Sequence, residues 1–157
     1  MNTLRYLEER DYIPITQVVD SWWGRPVSGL LPRLFFQHFQ PTSFVIEEQG
    51  EIRGFLIGFQ SQTRPEKAYI HFVGIHPSAR GQGCGRSLYE RFFATVRELG
   101  CTEVSSITSP INKGSIAFHI SMGFEILPGD AEEEDVAVLT NYDGQSISRV
   151  RFRKVLA

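Results

Sequence analysis

The sequence predicts an α/β fold, a mixed and mostly antiparallel central sheet with helices on both faces, and three observations carry that expectation. Residues 43–48 and 52–59 are short β-branched and aromatic runs joined by Gln49-Gly50-Glu51, which reads as a hairpin. Residues 68–75 (AYIHFVGI) form a third such run, which stops at His76-Pro77. Leu88, Phe92, Val96 and Leu99 then recur at helical spacing, one face of a helix. A chain of 157 residues, 41% of them hydrophobic, can bury one continuous core, so residues 1–157 are expected to form a single domain.

The remaining elements follow in order. Apolar alternation at 4–7 predicts an opening strand, and Ile13, Val18, Val19, Trp22 and Trp23 predict a helix ending at Gly24. A second helix is expected over 31–39, ahead of the hairpin. Behind the strand at 68–75 comes the glycine-dense Arg80-Gly81-Gln82-Gly83-Cys84-Gly85, which opens a helix over 86–99 that Gly100 terminates. Residues 104–108 read as a strand, 115–122 as a short helix, 124–127 as a strand, and 150–155 as a terminal strand after the Tyr142-Asp143-Gly144 turn. The acidic run at 130–135 reads as a solvated loop, with attraction of a cationic amine as its functional alternative.

Composition excludes several functions. A formal net charge of −2 with scattered Lys and Arg lacks the basic footprint of a nucleic-acid binder. Residues 1–9 lack the apolar segment of a secretory signal, and no apolar run approaches a membrane span. Cys84 and Cys101 read as free thiols, and neither HExxH nor paired CxxC spacing occurs, so no metal site is expected. The expectation is a cytoplasmic protein that engages neither nucleic acid nor membrane.

Glycines between a strand and a helix make a tight turn, and they also point unpaired N–H groups and the helix dipole at any anion placed there. Two phosphate motifs fail here. Gly85-Arg86-Ser87 lacks the Walker A lysine, with Arg80 at the first glycine position. Neither Gly81-x-Gly83 nor Gly83-x-Gly85 is followed by the third glycine of the dinucleotide fingerprint. The segment Arg80 to Gly85 instead resembles the signature loop of the GNAT superfamily of N-acetyltransferases: Gln or Arg, two residues, Gly, one residue, then Gly or Ala. Val73-Gly74-Ile75-His76-Pro77 before it is similar to the end of that family's fourth strand. Asn112, Ser115, Phe118, His119 and Met122-Gly123-Phe124 after it resemble the family's Asn-containing helix, which ends in a Gly-Phe pair. The resemblance spans residues 67–124, whereas the first sixty residues match only in the order of their elements.

The resemblance implies an acyl-CoA N-acyltransferase-like fold and acetyl-CoA as co-substrate. It implies that the N–H groups of Gln82, Gly83, Cys84, Gly85 and Arg86 hold the pyrophosphate, with Gly81 and Arg80 shaping the loop. Val73 and Ile75 would pair their main chain with the pantetheine arm, as an added strand does, and the Ile75 N–H would polarise the thioester carbonyl. Asn112 would contact the pantetheine or ribose. Aminolysis also needs a base for the amine, and strand period places Tyr69, His71, Val73 and Ile75 on one face. The family carries its base on this strand in several branches. A histidine ordinarily titrates near pH 6.5, so His71 is the candidate base, or else a histidine satisfied inside the sheet.

The sequence departs from the family at His119, where most members have a tyrosine thought to protonate the coenzyme A sulfur. Histidine serves as that acid only when protonated; packing against the helix is the alternative. Trp22, Trp23, Arg25, Phe35, Phe36 and Phe39 either frame an acceptor pocket or pack the core. The expectation is therefore acetyl transfer from acetyl-CoA to a primary amine by direct attack, the acceptor being a small molecule or a peptide amine. A non-catalytic acyl-CoA sensing module is the alternative. Exposed sheet edges leave a homodimer open.

Overall fold

A computed structural model describes residues 2–156. Seven strands form one sheet: β1 (Asn2–Tyr6), β2 (Phe44–Glu48), β3 (Glu51–Gln60), β4 (Lys67–Ile75), β5 (Glu103–Thr108), β6 (Glu125–Ile126) and β9 (Val150–Val155). Their spatial order is β1-β2-β3-β4-β5-β9-β6, and β4 with β5 is its parallel pair. The other neighbours run antiparallel, so the sheet is mixed and mostly antiparallel, as expected. A separate hairpin, β7 (Ala131–Glu133) with β8 (Val136–Val138), carries the acidic run. Glu134 and Asp135 turn it at φ of 52° and 62°, so half of the expected loop, residues 131–133, is a strand and two further residues are its turn.

Helices cover both faces. On one side α1 (Tyr12–Trp23) and α2 (Arg33–His38) bury Ile15, Val19 and Phe36 against Phe55, Ile57 and Phe72 of the sheet. On the other, α3 (Cys84–Glu98) buries Leu88, Phe92 and Val96 against Ile70, Val104 and Phe152, beside α4 (Lys113–Ser121). Pro32 at the N-terminal boundary shortens α2 relative to expectation, and Gly24 ends α1 in the left-handed region at φ 72°. Leu99 does not join the buried stripe of α3: the helix stops at Glu98 and leaves it 47% exposed.

One irregularity opens the sheet. Between β3 and β4 the register runs Ile57↔Phe72 and then Gly58↔Ile70, so His71 is the extra residue of a β-bulge. A bulge bends its strand and reverses the side-chain parity beyond it. Ala68 and Ile70 belong to the α3 side, Phe72 to the α1 side, and Val73 and Ile75 again pack toward α3. The bend also ends the pairing with β5, which extends only from Lys67↔Glu103 to Tyr69↔Ser105. Beyond it the Ser106 hydroxyl donates to the Ile70 carbonyl at 3.3 Å, and the two strands then part.

Candidate functional site

The gap between β4 and β5 opens into a cavity of about 590 Å³. Val73 and Ile75 of β4, Gly85 and Tyr89 of α3, and Asn112, Ser115, Phe118 and His119 around α4 line it, with Trp22, Trp23 and Arg80 at its mouth. The His76 N–H donates to the Arg53 carbonyl of β3 at 2.8 Å, so strand alternation turns the Ile75 and Val73 N–H groups toward the opposite, open edge. That edge offers main-chain donors and acceptors as an unpaired strand does.

Of the glycine loop, Arg80 and Gly85 line this cavity, while Gln82, Gly83 and Cys84 line a second one of about 190 Å³ with Leu4 and Ile46. Gly81 and Gly83 sit at φ of 76° and 83°, a region that side-chain-bearing residues rarely enter, and Gly83 is the N-cap of α3. A glycine cap brings no side chain back onto the helix, and the first intrahelical bond comes from Ser87 to the Gly83 carbonyl. The N–H groups of Cys84, Gly85 and Arg86 therefore remain open, at the positive end of a 15-residue dipole. Gly85 matters for its size, since a Cβ there would lie 3.3 Å from the Phe118 ring and would hold α3 away from α4. Gln82 donates to the Ser78 carbonyl and stiffens the loop. The Arg80 guanidinium donates to the Trp22 carbonyl at the end of α1, which ties the loop to the opposite wall. The Arg86 side chain pairs with Glu90 at 3.8 Å on the surface, leaving its N–H as its contribution. Cys84 is buried and free, as is Cys101.

Asn112 caps α4, its side-chain oxygen accepting the Ser115 N–H at 3.2 Å, while its amide NH₂ finds no partner among the described residues. His71 does not share a face with Val73 and Ile75, because the bulge falls on it; this corrects the expected alternation. Its Nε2 stands 2.6 Å from the Leu30 carbonyl, and its ring meets the edge of Phe35. A carbonyl only accepts, so Nε2 carries the proton and Nδ1 keeps its lone pair, which has no partner among the described residues.

His119 is 4% exposed and stacked on Phe152 at 4.3 Å. Its Nδ1 lies 2.8 Å from the Ser115 carbonyl and its Nε2 2.9 Å from the Tyr89 hydroxyl. Burial pushes its pKa below the ordinary histidine value and pushes the Tyr89 phenol well above its own. Sequence reading passed over Tyr89. The available signal was its spacing of four from Gly85, which sets it one turn along α3 on the face above the loop. Of the N-terminal aromatics, Phe36 is fully buried, Phe35 and Phe39 stack on each other at 5.0 Å, and Trp22 and Trp23 reach the cavity. Among the described residues there is no cluster of three metal-ligating side chains, and no helix is long and apolar enough to cross a membrane.

The chain is 32% identical over 84 residues to L-2,4-diaminobutyric acid acetyltransferase from Nocardia farcinica, covering 54% of this chain and 44% of the relative. It spans about half the length of the curated relatives it matches. Among solved structures, the fold resembles the ribosomal-protein-S18-alanine N-acetyltransferase from Escherichia coli, with a TM-score of 0.75 and 20% identity over 100% of this chain and 95% of that one. It also resembles the diaminobutyrate acetyltransferase from Paenibacillus lautus, solved with L-2,4-diaminobutyric acid and coenzyme A, with a TM-score of 0.70 and 18% identity over 99% and 95%. The family model of the Acetyltransferase (GNAT) family matches residues 6–124, and the chain belongs to that family.

Proposed function

We propose that the protein transfers the acetyl group of acetyl-CoA to the primary amine of a small acceptor by direct attack. The observation that carries this reading is the parting of β4 from β5 immediately beside an uncapped, glycine-built helix N-terminus. One feature suits an extended arm that pairs with a strand edge, the other an anion, and acetyl-CoA joins both in one molecule.

In this reading the N–H groups of Gln82, Gly83, Cys84, Gly85 and Arg86 hold the pyrophosphate, and Arg80 braces the loop against α1. The open edge at Val73 and Ile75 holds the pantetheine, and the Asn112 amide NH₂ supplies a further donor to it. The Ile75 N–H points at the thioester oxygen and stabilises the charge that grows there as the amine adds. His71 accepts the amine's proton on Nδ1, directly or through water, while the Leu30 carbonyl fixes its tautomer through Nε2. The named activities of the relatives, acetylation of diaminobutyrate among them, support a small amine as acceptor.

One observation favours a second reading, a non-catalytic acyl-CoA sensor: His119, one of the two expected proton carriers, is buried in a site that disfavours its charged form. Mixing the protein and acetyl-CoA with a panel of small amines, and following free thiol, separates the two. Thiol release that depends on the amine is expected. Tight cofactor binding with no release across the panel would establish the sensor instead.

A further inference from the structure

Tyr89 and His119 form a hydrogen-bonded pair in the wall of the cavity, and the proton positions within it can be assigned. The Ser115 carbonyl, 2.8 Å from His119 Nδ1, only accepts, so the ring proton resides on Nδ1. Nε2 is then a lone pair, and at 2.9 Å it accepts the O–H of Tyr89. Phe118, Phe124 and Phe152 pack around the pair, and no charged side chain among the described residues contacts either ring. His119 therefore has no proton directed at the cavity, and its burial resists a second one. The phenol carries a proton throughout the neutral range, since burial raises its pKa.

Building on the acetyl-transfer reading above, we infer that Tyr89 is the catalytic acid that meets the departing thiolate, and that His119 is the positioning residue that holds its hydroxyl in place. The step balances. The acceptor nitrogen bonds to the carbonyl carbon, and the carbon–sulfur bond breaks with its electron pair passing to sulfur. The Tyr89 O–H, resting on a neutral nitrogen, turns to the anionic sulfur, because hydrogen bonds to ionised partners are about twice as strong as neutral ones. Sulfur takes that proton, and the proton shed by the acceptor nitrogen, received first by His71, passes through solvent to restore the phenol. Amide and thiol result with no net proton change.

The test combines substitution with a pH profile. Tyr89→Phe should lower kcat by about 10²–10⁴-fold and leave the dissociation constant for coenzyme A unchanged. His119→Gln, whose amide oxygen still accepts from the phenol, should retain more of kcat than His119→Phe. Wild-type kcat should stay level on the alkaline side up to about pH 10, the range of an ordinary phenol, whereas an imidazolium acid would lose it below neutrality. If Tyr89→Phe disturbs cofactor affinity by misfolding, the wild-type profile still decides. Full turnover by Tyr89→Phe overturns the inference, as does an alkaline limb near neutrality that His119→Phe abolishes. Wild-type protein that binds acetyl-CoA and releases no thiol overturns both this and the reading it rests on.

Discussion

In the proposed reading, the cofactor side of the gap between β4 and β5 is built from backbone, whereas the acceptor side is built from side chains that arrive from separate segments. On the first side, the open N–H groups of α3 and the free edge of β4 follow from two left-handed glycines and one bulge. Any sequence that keeps those backbone conformations keeps the site. On the second side, Trp22 and Trp23 come from the end of α1, Phe35 from α2, the Leu30 carbonyl from the turn between them, and His71 from β4. Packing and two hydrogen bonds, His71 Nε2 to the Leu30 carbonyl and Arg80 to the Trp22 carbonyl, hold that set together. A short motif therefore reports the shared co-substrate and says little about the acceptor.

If backbone conformation alone makes the cofactor side, a single glycine should undo it. Gly83→Val should abolish acetyl-CoA binding by calorimetry while circular dichroism stays native. No atom lies within 4 Å of the added Cβ, so the cost falls on the left-handed φ, about 1–2 kcal/mol, and the loop shifts rather than the core. Unchanged affinity would reduce the loop to a turn.

On the acceptor side, the effect should be confined to turnover. His71→Gln should lower kcat by about 10²–10⁴-fold with the affinity for coenzyme A unaltered, in steady-state and binding measurements together. Equal loss of cofactor affinity would mean that His71 merely pins Leu30 and holds the wall upright.

The smallest expected effect concerns the ring between the two sides. A histidine whose folded pKa is depressed binds its proton more readily when unfolded, so its contribution to stability is complete above about pH 6.5 and is lost as pH falls through the folded value. Asp20 and Asp130, also depressed, act only below the ordinary carboxylate range. Melting temperature should therefore begin to fall on acidification just below pH 6.5, and His119→Phe should flatten that first portion. An unchanged slope would show that His119 is not held neutral.

Much of this was legible in sequence because it is local. The terminal strand at 150–155 matches its expected bounds, since Val150 and Phe152 alternate with arginines and lysine. The glycine loop was legible because left-handed backbone demands glycine. The bulge at His71 was not: Ile70, His71 and Phe72 all suit a strand, and the shift falls opposite Gly58, where a long-range neighbour, Phe92, comes so close that its ring would lie 2.4 Å from a Cβ. The hairpin at 131–138 was hidden by its acidic composition, although Asp135 is a residue that tolerates the left-handed backbone of its turn. Tyr89 was hidden for a third reason. A tyrosine in an apolar helix face reads as core, and its partner lies thirty residues on, in another helix.

If the parted strands and the uncapped helix form one acetyl-CoA site, thermal unfolding with and without the cofactor shows it. A ligand at one hundred times its dissociation constant stabilises the native state by about 2.7 kcal/mol. At roughly 2–4 °C per kcal/mol for a domain of this size, acetyl-CoA should raise Tm by about 5–10 °C in the wild type and leave Gly83→Val unmoved. A wild-type Tm that does not shift at millimolar acetyl-CoA would contradict the account.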